Sequence, residues 1–194
     1  MPITNHLHYK IHKPFGMLSQ MGSNDPKEVR SKRFLEELFN FPEGIMPIGR
    51  LDAKSEGLLL MTTDGKLSDT INRSGVEKEY YVQLDGEITE KEIADLETGV
   101  EIGFGGKRYH TKPCKVHKIN TPHLLPPPDH KLRIGRHRPT SWISIVLTEG
   151  KFRQVRKMTA AVGYPTLRLV RVRIGITTLR DLAPGAVAEI EVPF

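Results

Sequence analysis

"GRLDAKSEGLLLMTTDG", residues 49–65, sets Arg50 and Asp52 two positions apart behind a glycine and then runs into the apolar block Gly57-Leu58-Leu59-Leu60-Met61. A block this short is either a buried strand or the start of a packed helix, and periodicity alone allows both. Asp64-Gly65 then marks a turn. Either way, the chain aims a carboxylate into the junction between a glycine turn and a buried segment. Three readings of Asp52 compete. Arg50 and Asp52 share one side of an extended segment and could form an ion pair that fixes the turn. Asp52 and Glu56 could be a glycosidase pair, although a helical i, i+4 spacing does not set two acids across a sugar. Asp52 could also be a lone nucleophilic aspartate, partnered by an arginine from elsewhere and flanked by an aromatic ring.

Working outward, "HYKIHKPFGML" reads as an opening strand that stops at Pro14 and Gly16. "DPKEVRSKRFLEELF" predicts a helix with Asp25 as N-cap, Pro26 at the first position, Glu28 at the third, and Phe34, Leu35, Leu38 and Phe39 as an apolar stripe. In "EYYVQLDG" the alternation turns Tyr80, Val82 and Leu84 inward. "TEKEIADLETG" predicts a short helix with a Thr89–Glu92 capping box and a stop at Gly99. Residues 121–139, rich in proline and without periodicity, form an extended loop, either a connector or an RNA-touching arm. "SWISIVL" and "TLRLVRVRI" are strands. Between them "TEGKFRQVRKMTAAVG" predicts a helix from about Phe152, with Val155, Met158 and Val162 on a buried side and Arg153, Arg156 and Lys157 on another. Several strands, few helices and no regular βαβ alternation give an α+β class with a central, mainly antiparallel mixed sheet flanked by helices. No boundary separates independent domains, so residues 1–194 are expected to form one domain of two lobes around a cleft.

The chain has 194 residues, 38% of them hydrophobic, as expected for a globular protein that folds alone. The single Cys114 excludes an internal disulfide framework and suits a reducing cytoplasm. No signal-peptide core and no membrane-length apolar run is present. The eight histidines show no H-x-E spacing, so no metal is expected. The net charge of +6 is unevenly spread: residues 131–180 hold twelve Lys or Arg against the single acid Glu149, a net of +11. Such asymmetry points to a polyanion, most plausibly nucleic acid, because released counterions drive that association. A basic face can also be only a solvated face.

Four segments in order carry a resemblance. "GRLDAKSEGLLLMTTDG", "KEYYV" (78–82), "EGKFRQVRKM" (149–158) and "YPTLRLVRVRIG" (164–175) resemble the motifs of the small-ribosomal-RNA type of the pseudouridine synthase family. The match runs from Lys10 to nearly the end of the chain. "PTSW" (139–142) and the basic proline-rich loop bring it nearest to the branch that acts on large-subunit ribosomal RNA and lacks an S4 domain. Two departures stand out: Lys151 and Phe152 replace the commoner Arg-Asn pair, and "HKPFGMLSQM" is only loosely alike.

The resemblance implies the pseudouridine synthase catalytic fold with a basic cleft, and an enzyme that isomerises uridine in ribosomal RNA without metal or cofactor. It implies Asp52 as the catalytic carboxylate, Tyr80 against the target base, Leu169 as apolar support of the base pocket, and Arg156 as the counter-charge, with Arg153 as the alternative. Arg50 is a candidate to fill the space left by a flipped-out nucleotide. Lys151, Arg153, Lys157, Arg133, Arg136 and Arg138 are expected to contact RNA. A monomer without an S4 domain is expected, whose RNA affinity comes from the catalytic body. The rival reading is a catalytically silent RNA-binding or ribosome-assembly module that keeps the fold.

Overall fold

The computed structural model describes residues 6–135, 138–180 and 182–191. The chain forms two compact units, one made of Met1–Val76 with Arg171–Phe194 and the other of Glu77–Val170.

The first unit contains β1 (His8–Lys13), α1 (Pro26–Ser31), a 3-10 turn at Leu35–Glu37, β2 (Met46–Ile48), β3 (Glu56–Thr62), α2 (Gly65–Arg73), β10 (Thr177–Thr178) and β11 (Val187–Ile190). It also takes the last four residues of β9 (Thr166–Ile174). Its strand order is β11-β1-β3-β9, with β2 paired to β3 and β10 to β9. The apolar block is a strand: all seven residues of β3 are buried. Antiparallel pairing sets Ile11 opposite Leu59 and Tyr9 opposite Met61. These four join Met17 and Leu35 in one core cluster. Leu58 and Leu60, which point to the other face, are fully buried as well. Burial on both faces explains why no polar alternation marks this strand.

The helix expected over "DPKEVRSKRFLEELF" is two pieces. Its start is as expected, with the Asp25 carboxylate accepting the Lys27 amide at 2.8 Å and Pro26 leading the helix. It ends at Ser31 because α1 buries no residue, so nothing outside its own hydrogen bonds prolongs it. The chain beyond runs extended: Leu18 N–H donates to Arg33 O at 2.9 Å and Leu35 N–H to Gln20 O at 3.0 Å. That course buries Phe34 and Leu35 and leaves Phe39, the last residue of the expected stripe, 46% exposed.

The second unit contains β4 (Lys78–Asp85), α3 (Glu90–Thr98), β5 (Glu101–Phe104), β6 (Lys107–His110), β7 (Lys115–Ile119), β8 (Thr140–Leu147), α4 (Gln154–Ala161) and the first part of β9. The order is β9-β4-β8-β7, and β5 and β6 make a separate hairpin. Tyr80, Val82 and Leu84 are buried, with Tyr80 opposite Ile145 and Val82 opposite Ile143. Gln83 on the other face is buried too, and its amide donates to Thr140 Oγ1 at 3.0 Å. The capping box at Thr89 is not made as expected, because the hydroxyl donates to Glu92 Oε2 instead of accepting an amide. Residues 121–139 contain no helix or strand among the described residues, and Arg168 Nη1 tethers the loop by donating to Pro126 O at 3.0 Å. Every strand pairing whose register is described is antiparallel, and with four α-helices among the described residues the fold is α+β.

Gly99 ends α3 at φ 101°, and a Cβ there would collide with the carbonyl oxygen of Thr111. Thr111 cannot easily yield, since its N–H donates to Val100 O and its hydroxyl accepts the Val100 amide. Gly99→Ala is expected to cost about 1–3 kcal/mol of stability, measured as a lower urea midpoint with an unchanged slope.

Candidate active site

Asp52 sits half-buried in the turn between β2 and β3. Gly49 opens that turn at φ 70°, a left-handed conformation that favours glycine. Arg50 is exposed and donates to Gln20 Oε1 at 3.4 Å. Ser19 fixes the backbone of the turn. Its buried hydroxyl accepts the Leu51 amide at 2.9 Å and donates to the Leu51 carbonyl at 2.8 Å. Beyond the aspartate, Asp52 O accepts the Ser55 amide at 2.9 Å and Ala53 O accepts the Gly16 amide at 2.7 Å. The backbone is therefore held on both sides of the carboxylate. Glu56 begins β3, so the helical i, i+4 geometry of the glycosidase reading does not form.

Lys13, the last residue of β1, is fully buried in the same unit. Its Nζ donates to Met17 O at 2.7 Å and to Pro14 O at 2.9 Å. Burial pushes its ammonium down to about 7; Glu56 and Asp52 pull it back up, and Arg171 pushes it further down. Arg171 is itself buried, with Nε donating to Leu58 O at 2.7 Å and Nη2 without a hydrogen-bond partner among the described residues. Sequence reasoning missed both Lys13 and Ser19. The available signal for Lys13 was a cation at an inward-facing strand position directly before a proline.

Because the Lys13 amine titrates at about 7 when folded and at its ordinary 10.5 when unfolded, the unfolded chain alone holds the proton between these values. Stability from this group therefore rises as pH climbs through that window, and the penalty is full and constant below it. Lys13→Met is expected to flatten that stretch of the stability–pH profile relative to wild type, read by urea unfolding at stepped pH.

The remaining expected catalytic residues lie in the second unit. Tyr80 is buried in β4 and Leu169 in β9. Arg156, half-buried in α4, donates through Nη1 to Thr166 O at 3.2 Å. The helix starts at Gln154, two residues later than expected. Arg153 is not on its face but precedes it at φ 55°, ψ 33°. A non-glycine residue held there stores about 1–3 kcal/mol of strain and is kept so by its surroundings. The surroundings are a network on Glu149. This carboxylate accepts the Tyr109 hydroxyl, the Lys112 amide at 3.0 Å and the Gln154 amide at 2.6 Å, while Gln154 Oε1 accepts the Lys151 amide at 2.9 Å. Burial pushes the Glu149 carboxyl up, but these hydrogen bonds and Lys151 outweigh it and hold it below its ordinary value.

The expected RNA-contacting residues differ in their surroundings. Arg133 is exposed on the loop, as is its neighbour Lys131, and Arg136 lies outside the described residues. Arg138 is engaged within its own unit, with Nε 3.4 Å from Asp85, Nη2 donating to Gly163 O at 3.0 Å and its guanidinium over the Tyr164 ring. Lys157 Nζ donates to Gly103 O at 2.6 Å, and Lys151 Nζ lies over the Tyr109 ring. Among the described residues no group of three His, Cys, Asp or Glu could hold a metal ion, and no helix is long and apolar enough to cross a membrane. Burial pushes the Cys114 thiol up to about 11, helped by Glu97 and Glu149, which keeps it from acting as a thiolate at neutral pH. A hollow of about 660 Å³ among Met21, Leu38, Phe39 and Phe41 contains none of the expected site residues.

Residues 8–161 match the family described as RNA pseudouridylate synthase, and the chain belongs to it. It is 40% identical over 177 residues, 90% of each chain, to the ribosomal large subunit pseudouridine synthase E of Xanthomonas campestris pv. campestris. It is 38% identical over 185 residues to the enzyme of the same name from Vibrio parahaemolyticus, covering 93% of this chain and 72% of that one. Among solved structures, a pseudouridylate synthase superposes with a TM-score of 0.76 at 26% identity, over 98% of this chain and 73% of the other.

Proposed function

We propose that this protein isomerises a uridine of large-subunit ribosomal RNA to pseudouridine, as a cytoplasmic monomer without metal or cofactor. The observation that carries this reading is the identity with enzymes of that name over nine-tenths of both chains. In the reaction the N1 glycosidic bond breaks, the detached uracil turns, and C5 bonds to C1′; no net redox change or hydrolysis occurs. One ionised carboxylate suffices, either attacking C1′ or removing the C2′ proton to give a glycal. Asp52 is that group, and the Ser19 clamp on its neighbour supports a fixed aim. Arg156 supplies the counter-charge that lets a carboxylate stay ionised out of water. Tyr80 lies against the base, supported by Leu169. The target nucleotide leaves its stack to reach the site, and the exposed Arg50 fills its place. Lys131, Arg133, Lys151, Arg153 and Lys157 hold the RNA backbone, joined by Arg136 and by Arg138 when it exchanges its internal partners for phosphate.

Asp52→Asn keeps the shape and removes the charge. Tritium release from C5-labelled uridine in ribosomal RNA is expected to vanish, while RNA affinity at fixed salt stays equal or rises slightly because an anion has gone. An Asn variant within a few-fold of wild type would remove Asp52 from the chemistry. A wild type that binds RNA but releases no tritium from any ribosomal RNA would leave a binding module.

The two arginines are separable by the same assay. Arg156→Ala is expected to lower turnover about 100-fold or more, whereas Arg153→Ala acts mainly on RNA binding. The reverse ranking would give Arg153 the counter-charge role.

A further inference from the structure

We propose that Phe152 is a stacking platform for an unpaired nucleobase of the RNA substrate. The proposal rests on the reading that the partner is RNA, and adds how that RNA is engaged beside the strained Arg153. Among the described residues two aromatic side chains are prominently exposed, Phe39 at 46% and Phe152 at 65%. They differ in company. The Phe39 ring packs on Phe41 at 5.3 Å and on Tyr9 at 5.8 Å. Among the described residues Phe152 packs on no other ring, and its neighbour is a cation, Lys157 Nζ, 5.4 Å from the ring centroid.

The segment that presents Phe152 is fixed. Before it, the Lys151 amide is bound to Gln154 Oε1; after it, Arg153 is held at φ 55°; and Glu149 joins Gln154, Tyr109 and Lys112 in the network beneath. An apolar ring displayed in water on a strained but hydrogen-bonded turn loses little freedom on binding. Its flanks are Lys151, Arg153 and Lys157. A flat apolar face among cations matches single-stranded RNA, whose splayed bases stack on aromatics while neighbouring phosphates meet the cations. Duplex RNA hides the base faces, and an acidic peptide would use the cations but leave the ring in water. Because any base has a π-face, the platform contributes affinity and register, with little discrimination among bases.

The test is a binding and turnover comparison of full-length wild type, Phe152→Ala and Phe152→Trp on large-subunit ribosomal RNA and its single-stranded fragments, across a salt series. Phe152→Ala is expected to keep the wild-type unfolding midpoint and to weaken binding about 5- to 100-fold. Its log K against log salt slope should stay unchanged, because no phosphate contact is lost. KM should rise more than kcat falls, and Phe152→Trp should bind at least as tightly as wild type. A Phe152→Ala protein with wild-type affinity and KM, or one whose salt slope shrinks in proportion to its affinity, overturns the platform. If wild type binds single-stranded RNA in a Phe152-dependent way but releases no tritium, the platform stands and the proposed reaction falls. If wild type binds no RNA at all, both fall.

Discussion

A strand with both faces buried can satisfy its backbone only through its lateral neighbours, and this constraint on β3 governs the first unit. Burial of Glu56–Thr62 requires β1 and β2 alongside, and the β1 register sets Tyr9 and Ile11 against Met61 and Leu59. The turn that leads into β3 then has little freedom left. Ser19 closes on the Leu51 backbone and Gly16 on Ala53, so a half-buried carboxylate is presented at the mouth of a rigid strand. The same unit buries Lys13 and Arg171, both bonded to backbone carbonyls, and the charges of Glu56 and Asp52 offset the burial of Lys13 only in part. Such a cluster specifies one arrangement more than it adds stability.

The second unit solves a different problem, that of holding cations where they repel one another. Nine of the twelve basic residues within residues 131–180 belong to it. Several of those described are taken up locally: Arg168 by the loop carbonyl of Pro126, Arg138 by Asp85 and Gly163, Lys157 by Gly103. Glu149, the single acid of that stretch, does the most. It orders the segment before α4 through Gln154 and Tyr109, and the energy of these hydrogen bonds sustains the left-handed Arg153. Strain of this kind is kept where a side chain must point in a particular direction.

Much of this was legible in the sequence wherever a local rule and the tertiary context agreed. The alternation of "EYYVQLDG" placed Tyr80, Val82 and Leu84 inside, and Gly99 stopped α3 as its position implied. The misreadings came where context overrode propensity. The stripe Phe34-Leu35-Leu38-Phe39 fits a helix, but burying Phe34 and Leu35 against the backbone of residues 17–20 competes better than extending a helix with no buried face. Arg153 was read as the first basic residue of a helical face, because periodicity cannot see a positive φ imposed by a glutamate four positions away.

By itself the sequence determined the α+β class, the charge asymmetry and the family, because these depend on residue types, periodicities and ordered motifs along the chain. Only the tertiary structure decided that "GLLLM" is a strand, that Ser19 clamps the backbone of the aspartate turn, that Lys13 is buried with a depressed ammonium, and that the Phe152 ring faces water. The physical reason is common to all four. Each outcome is set by which distant groups remove water from a residue or accept its hydrogen bonds, and pairs such as Ser19 with Leu51 carry no trace of one another in local sequence.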